Sequence, residues 1–326
     1  MTTELLARHA KAVVRRGLRQ VANALDRPTL VLIYHRVTTL PTDPQQLAVS
    51  PEHFRAQLRV LKQHFRIDRF DAPGAPDDRR TVVVTFDDGY ADNCLEALPI
   101  LEEEGVPATF FVSTGTIGTD REFWWDELER LLLVGDGHPA RIDLPLGETR
   151  IAAATATAED RRAVYDTLHP RIKALGPGVR EAFLVSLAAW SGRGTAGRPS
   201  HRAMSVDELR SLAASPWVTI GAHTDTHTCL SQLSPAEQLE DIAVSRRKLE
   251  NWIGRPVSVF SYPFGGSRDI DEASIEACER LGFARVAANW PGTLHRWTDA
   301  LQIPRCLVRD WAEAEFARQL DGFWLE

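Results

Sequence analysis

Residues 81–90, TVVVTFDDGY, set a run of β-favouring residues directly before two adjacent aspartates and a glycine. That composition predicts a buried strand. An aspartate pair at the end of a buried strand is costly unless something there calls for negative charge. Adjacent residues of an extended chain point to opposite faces. At a strand-to-loop turn, however, Asp87 and Asp88 can both reach one site, and Gly89 permits such a turn. One aspartate can then hold a metal ion while the other takes a proton. The plainer reading is a pair that caps the next helix.

Working outward, similar runs recur. TLVLIYH ends at His35, ATFFVST at Thr114, WVTIGAH at His223, VSVFSYP at Pro263, ARVAAN at Asn289 and LQIPRCLV at Val308. Amphipathic segments at 51–65, 92–104, 235–252 and 271–281 lie between most of them. Strands alternating with helices predict an α/β fold with a parallel sheet. Seven strands, several ending in residues that can do chemistry, point to a β/α barrel whose strand C-termini share one mouth. An open doubly wound sheet has the same pattern.

The rhythm breaks over about residues 118–205. EFWWDELERLLL reads as a helix, ARIDLPLGETRIAAA as a hairpin, and 158–175 and 179–190 as further helices before a Gly-rich connector. We read this stretch as a mostly helical insertion in a barrel spanning 28–326, with Trp124 and Trp125 expected over the barrel mouth or in the core. Residues 1–27 form a separate amphipathic pattern. Leu6, Ala10, Val13, Leu18 and Leu25 recur at helical spacing, interleaved with Arg8, Lys11, Arg15, Arg16 and Arg19. Such a helix packs on its own domain or attaches to an anionic membrane surface or a partner.

The bulk properties narrow the function classes. The formal net charge of the 326 residues is −7, which argues against general nucleic-acid binding. There is no 18-residue apolar run, so no transmembrane helix is predicted. The four cysteines, Cys94, Cys229, Cys278 and Cys306, form no close pair and read as reduced thiols. The N-terminus lacks the apolar core and cleavage site of a secretory signal. The expectation is a cytoplasmic protein, peripheral at the inner membrane face if the first helix attaches there.

GAHTDTHTCL, residues 221–230, places His223 and His227 four apart at the end of a predicted strand. Two such imidazoles can converge on one metal if the turn between them is helical. With a strand-end aspartate on the same mouth they make a set of two histidines and one carboxylate with open positions.

TFDDGY, HTDTH and SYPFGG resemble the first three motifs of the polysaccharide deacetylases, the NodB-homology carbohydrate esterases of family 4. The resemblance covers 29–114 and 217–308. It implies a distorted (β/α)7 barrel and metal-dependent removal of an N-acyl group, acetyl or formyl, from an amino sugar. Asp87 matches the catalytic base, and Asp88, His223 and His227 match the ligands of one divalent metal ion. Zinc is the default, although the ligand set also accepts cobalt, nickel, manganese or iron. Tyr262 and Phe264 fall in the motif that supplies the oxyanion donor, with the backbone N–H near Phe264 as the matching group.

Two departures stand out. The third motif of the family commonly begins with an Arg that pairs with the base, where this chain has Ser261. The last motif commonly carries a Leu-x-His acid, absent from QIPRCLV; His295, in GTLHRW, lies upstream and reads as a surface loop residue. We expect Arg305 in the last strand to replace the missing Arg, the alternative being an Arg at the rim paired with any nearby acid. Barrel closure makes the first and last strands neighbours. His35, ending the first strand, can therefore serve as the acid in a circularly permuted order, an arrangement similar to that of the poly-N-acetylglucosamine deacetylases. The alternative is a buried, hydrogen-bonded histidine. With no export signal, the substrate expected is an amino sugar in a nucleotide- or lipid-linked glycan precursor. A small non-sugar amide and an inactive carbohydrate-binding barrel are the competing readings.

Overall fold

The computed structural model describes residues 26–71 and 79–324; the proposed N-terminal helix lies outside the described residues. Seven parallel strands build the centre: β1 (Thr29–Tyr34), β2 (Thr81–Phe86), β3 (Ala108–Val112), β4 (Val218–Ala222), β5 (Val259–Ser261), β6 (Arg285–Ala287) and β7 (Cys306–Leu307). Their order in the sheet is β6-β5-β4-β3-β2-β1-β7. The longest ladder aligns Thr29 with Thr81 through to Tyr34 with Phe86. Closure comes from Ile303, which bridges Ala287 in parallel. Its N–H donates to Val286 O at 2.9 Å, and Ala288 N donates to its carbonyl at 2.8 Å. The ring is thus a distorted (β/α)7 barrel. Its last strand is shorter than LQIPRCLV suggests, because Pro304 has no N–H to give to a ladder. A short strand missed in the sequence, Arg66–Asp68, pairs beside the first half of β2.

β1 and β2 are buried on both faces, as strands of a parallel sheet covered by helices must be. Side-chain alternation sorts their residues into two groups. Leu30, Leu32, Tyr34, Val82, Val84 and Phe86 point to the helix layer and join the large core. Val31, Val83, Phe111, Val259, Ala287 and Ile303 point inward and, with Phe70, form a small apolar plug inside the barrel. Gly221 faces this plug; a Cβ there would lie 2.5 Å from the Phe111 ring.

The helices follow from their caps and apolar faces. α1 (Pro51–His64) starts at Ser50, whose hydroxyl accepts from His53 N, and buries Phe54, Leu58 and Leu61. α2 (Leu98–Glu104) and α3 (Trp124–Leu132) follow. The predicted hairpin forms as Arg141–Leu146 paired with Thr149–Ala154. α4 (Ala158–Lys173) and α5 (Pro177–Ser191) complete the expected insertion. α6 (Val206–Ala214), α7 (Pro235–Ile253), α8 (Glu272–Arg280) and α9 (Glu313–Phe323) return to the barrel. Leu128, Leu131, Leu168 and Leu184 of the insertion belong to the same apolar cluster as the barrel's outer face. All four cysteines are free.

Candidate active site

The strand alternation that makes the plug also makes the site. One further inward position carries Asp87 after β2, His223 after β4, Ser261 at the end of β5 and Arg305 before β7. His35 follows β1 in the same layer. Polar groups therefore sit directly above an apolar floor, at the C-terminal end of the strands.

Arg305 and Asp87, 218 residues apart in sequence, form a fork-to-fork pair: Nη1 donates to Oδ1 at 2.7 Å and Nη2 to Oδ2 at 2.6 Å. The guanidinium is 1% exposed and is held on every side. Nε donates to Ala288 O at 2.9 Å, Nη1 to Thr85 Oγ1 at 3.2 Å, and Nη2 to Ser261 Oγ at 2.8 Å. Ser261 Oγ donates in turn to Asp87 Oδ2 at 3.2 Å. So the serine at the position where an arginine was missing belongs to the network that the replacement arginine builds. Burial alone would raise the Asp87 carboxyl, but the Arg305 charge, the nearby histidines and the Arg305 hydrogen bonds together outweigh it and hold the group well below the usual carboxylate range.

Asp88 turns the other way because its backbone is left-handed, with φ 77°. Gly89 continues the turn at φ 93°, and a Cβ there would meet Val112 Cγ1 at 2.9 Å, so only glycine fits. The histidine loop is not helical, contrary to the expectation for the four-residue spacing. Thr224 at φ 60° and His227 at φ 48° are left-handed, and these two turns bring the rings together. His227 Nε2 lies 3.1 Å and His223 Nε2 3.6 Å from Asp88 Oδ1.

These residues fit a bound cation. His223 Nδ1 lies 2.7 Å from Ser261 O, a carbonyl that can only accept, so Nδ1 carries the proton and Nε2 faces Asp88 with its lone pair. A lone pair facing a buried carboxylate oxygen needs a positive charge between them. Burial, and next the Asp87 and His227 charges pulling in opposite directions, leaves His223 at about 4. Burial and then the Arg180 charge take His227 to about 3. Both rings are neutral at ordinary pH, the form that binds metal.

Helix-borne residues pin the loop. Asp241 of α7 accepts Asp225 N at 3.0 Å and Thr226 N at 2.9 Å on one oxygen, and the Thr226 hydroxyl at 2.8 Å on the other. Arg180 of α5 donates to Thr226 O at 3.1 Å and Thr228 Oγ1 at 3.2 Å. The sequence reading missed both. Their signal is weak, since each is a charged residue on an amphipathic helix whose burial only the fold discloses.

Above the site lies a cavity of about 240 Å³ lined by His35, Trp125, Phe264, Lys173 and Arg309 among others. Trp125 and Lys173 show that the insertion covers the mouth. Trp125 Nε1 donates to Tyr90 Oη at 2.7 Å, and its ring lies 4.7 Å from that of His227. Trp124 is 6% exposed and packs on Trp125 as core. Phe264 turns at φ 61° and sets its ring against His227. His35 Nδ1 is buried without a partner, so no carboxylate orients it there, and burial lowers the ring against the opposing pull of Asp88 and Asp87.

Tyr262 does not join this group. It is fully buried, its hydroxyl donates to Leu301 O at 3.1 Å, and its ring packs on Phe260. With Ser261 facing inward, alternation sends Tyr262 outward to the helix layer, which corrects its assignment to the substrate site. His295 lies in a loop, with Nδ1 3.2 Å from Asp26 Oδ2. A second buried group, Asp126, Glu129 and His201, lies within the insertion; Tyr90 donates to Asp126 at 2.6 Å and Arg198 to Glu129 at 2.8 Å.

Comparison with known proteins agrees with this geometry. The family profile described as polysaccharide deacetylase matches residues 74–139 and 188–286, half of the chain. The gap between them spans the hairpin and most of the insertion helices. YxkH of Bacillus subtilis is 20% identical over 277 residues; the match spans 82% of this chain and 66% of YxkH, just under two thirds of that relative. Streptococcus pyogenes deacetylase PplD, solved in complex with acetate, superposes with a TM-score of 0.56 at 16% identity, covering 90% of this chain and 97% of PplD. IcaB from Ammonifex degensii superposes with a TM-score of 0.56 at 21% identity, covering 92% and 98%. A closed barrel with paired aspartates and two histidines at its mouth, matched over half its length by one family's profile, places this chain in the polysaccharide deacetylase family.

Proposed function

We propose that the chain is a metal-dependent N-deacetylase of an amino sugar, with Asp88, His223 and His227 holding one divalent ion, zinc by default. The observation that carries this is the fork between Arg305 and Asp87, set beside that ligand group. It keeps one carboxylate ionised and fixed in orientation while the other is left for the metal. The bound ion supplies a water of lowered pKa and a polarised carbonyl. Asp87 takes the proton that the attacking water gives up. The C–N bond then breaks, leaving acetate and an amine that must leave protonated. His35 is neutral in the resting cavity, so a proton it passes to the amine must be one gained within the reaction, from the attacking water. Trp125 and Phe264 wall off bulk water. A formyl group in place of acetyl uses the same site.

A separate cavity of about 340 Å³, lined by Thr38, Thr39 and Trp311 among others, shares Arg309 with the inner one. A neighbouring cavity of this size favours a sugar attached to something larger, as in a nucleotide- or lipid-linked glycan precursor, over a small free amide. The test is release of acetate or formate from nucleotide-linked and lipid-linked N-acyl amino sugars, followed by NMR. Release from small cyclic amides with none from any sugar would reverse the choice.

A further inference from the structure

Two cations line the inner cavity, and they differ in what answers their charge. Lys173 Nζ pairs with Asp269 at 2.7 Å and lies 4.4 Å over the Phe264 ring. Arg309, just past β7, makes no ion pair among the described residues. Its Nη1 is anchored on main-chain carbonyls, donating to Gln45 O at 2.8 Å and also to Gln46 O. Carbonyls orient a guanidinium without cancelling its charge.

The nearby acids are engaged elsewhere. Asp43 accepts Leu47 N at 3.1 Å and Ala48 N at 2.8 Å on its two oxygens. Asp310 accepts Ser50 N at 2.8 Å and the Ser50 hydroxyl at 2.9 Å, with His53 Nδ1 at 2.7 Å. Burial pushes the Arg309 guanidinium down, and Asp43 only partly opposes it. Arg309 forms part of the wall of both the inner and the outer cavity. It is the residue that the two linings share. In the inner cavity, Arg305 balances Asp87, and a divalent ion more than balances Asp88. The carboxylates nearest Arg309, Asp43 and Asp310, line the outer cavity and not the inner one. A partly dehydrated guanidinium presented there is suited to a planar or tetrahedral oxyanion, which it can grip through two N–H bonds.

We propose that Arg309 receives an anionic group of the substrate, a phosphate ester or a carboxylate attached to the amino sugar beside the reacting amide. The inference rests on the amino-sugar reading above and specifies its substrate class.

The test is calorimetry on the zinc-loaded full chain with glucosamine 1-phosphate, methyl glucosaminide and a glucuronic acid–glucosamine disaccharide. The readout is the ratio of affinities for charged and neutral probes. Wild type is expected to bind at least one charged probe about 10-fold or more tighter than the methyl glycoside. Arg309→Met should bring that ratio to about one, and Arg309→Lys should restore part of it. Preference for the 1-phosphate assigns a phosphate; preference for the disaccharide assigns a carboxylate. Equal affinity for charged and neutral probes in wild type, or a ratio unchanged in Arg309→Met, overturns the proposal. If Arg309→Met fails to fold, Arg309→Gln is judged by the same ratio. Binding is read without turnover, so the two readings fail separately. A charged-probe preference with no acetate released from the N-acetylated probes would contradict the deacetylase and leave the anion site standing.

Discussion

Replacing Arg305 with Met removes the only cation hydrogen-bonded to Asp87 among the described residues and leaves a carboxylate that is 3% exposed. What remains to it is the Ser261 hydroxyl. Breaking a buried pair by removing one partner costs about 3–5 kcal/mol. With an unfolding entropy of about 2.1 cal/mol/K per residue over 326 residues, that is a fall of about 4–7 °C in Tm. The pH dependence follows from the sign of the shift. Burial raises the Asp87 carboxyl, and Arg305, through its charge and hydrogen bonds, together with His223 and His35 more than offsets it, so the folded value lies below the unfolded one. Such a group adds stability above its unfolded pKa and loses it as pH falls through the folded pKa, below about pH 4. In Arg305→Met burial prevails, the carboxyl moves up, and the base begins to protonate at higher pH. The acid limb of the kcat/KM profile should move toward neutral pH, and the plateau should fall by about two to four orders of magnitude. Arg305→Lys keeps a charge but loses the fork, so it should lie between the two. Thermal melts and pH–rate profiles on all three proteins check this. An acid limb and a Tm that stay where wild type has them would refute the reasoning.

Asp87→Asn should keep stoichiometric zinc, measured by atomic emission, while losing about two to four orders of magnitude in rate; near-wild-type turnover would reject Asp87 as the base. Asp241→Asn weakens the acceptor that gathers two amides and a hydroxyl of the histidine loop. It should reduce zinc affinity by about 10–100-fold in competition with a chelator, and unchanged affinity would show that the loop holds its shape unaided. Trp125→Ala opens the wall beside His227 and should raise KM for accepted substrates, whereas Trp124→Ala should act mainly through stability, by about 3–5 kcal/mol. The reverse pattern in kinetics and melts would exchange their roles.

Much of the site was legible because its chemistry sits at strand ends. TFDDGY and HTDTH each follow a run buried on both faces, and alternation carries Asp87 and His223 inward. The Arg305 partnership was legible only from the gap at Ser261, since its two ends meet through barrel closure across 218 residues. The turn geometry was not legible. Asp88, Thr224, His227 and Phe264 all take left-handed φ values, a conformation uncommon for any residue but glycine, so residue type alone does not announce it. Tyr262 was misplaced because β5 is three residues long, too short for the alternation at its end to be read. The strand Arg66–Asp68 was missed because its residues are only half-buried and two of the three are charged.

The central claim is that one ion held by Asp88, His223 and His227 serves hydrolysis of an N-acyl amino sugar. The most direct measurement pairs metal content with acyl release in one set of samples: wild type and His223→Ala/His227→Ala, each offered nucleotide-linked and lipid-linked N-acyl amino sugars and followed by NMR. The account expects one divalent ion per chain and acetate or formate release in wild type, with both lost together in the double variant. Acyl release at the wild-type rate from a double variant without metal, or a fully metal-loaded wild type that releases none, would contradict it.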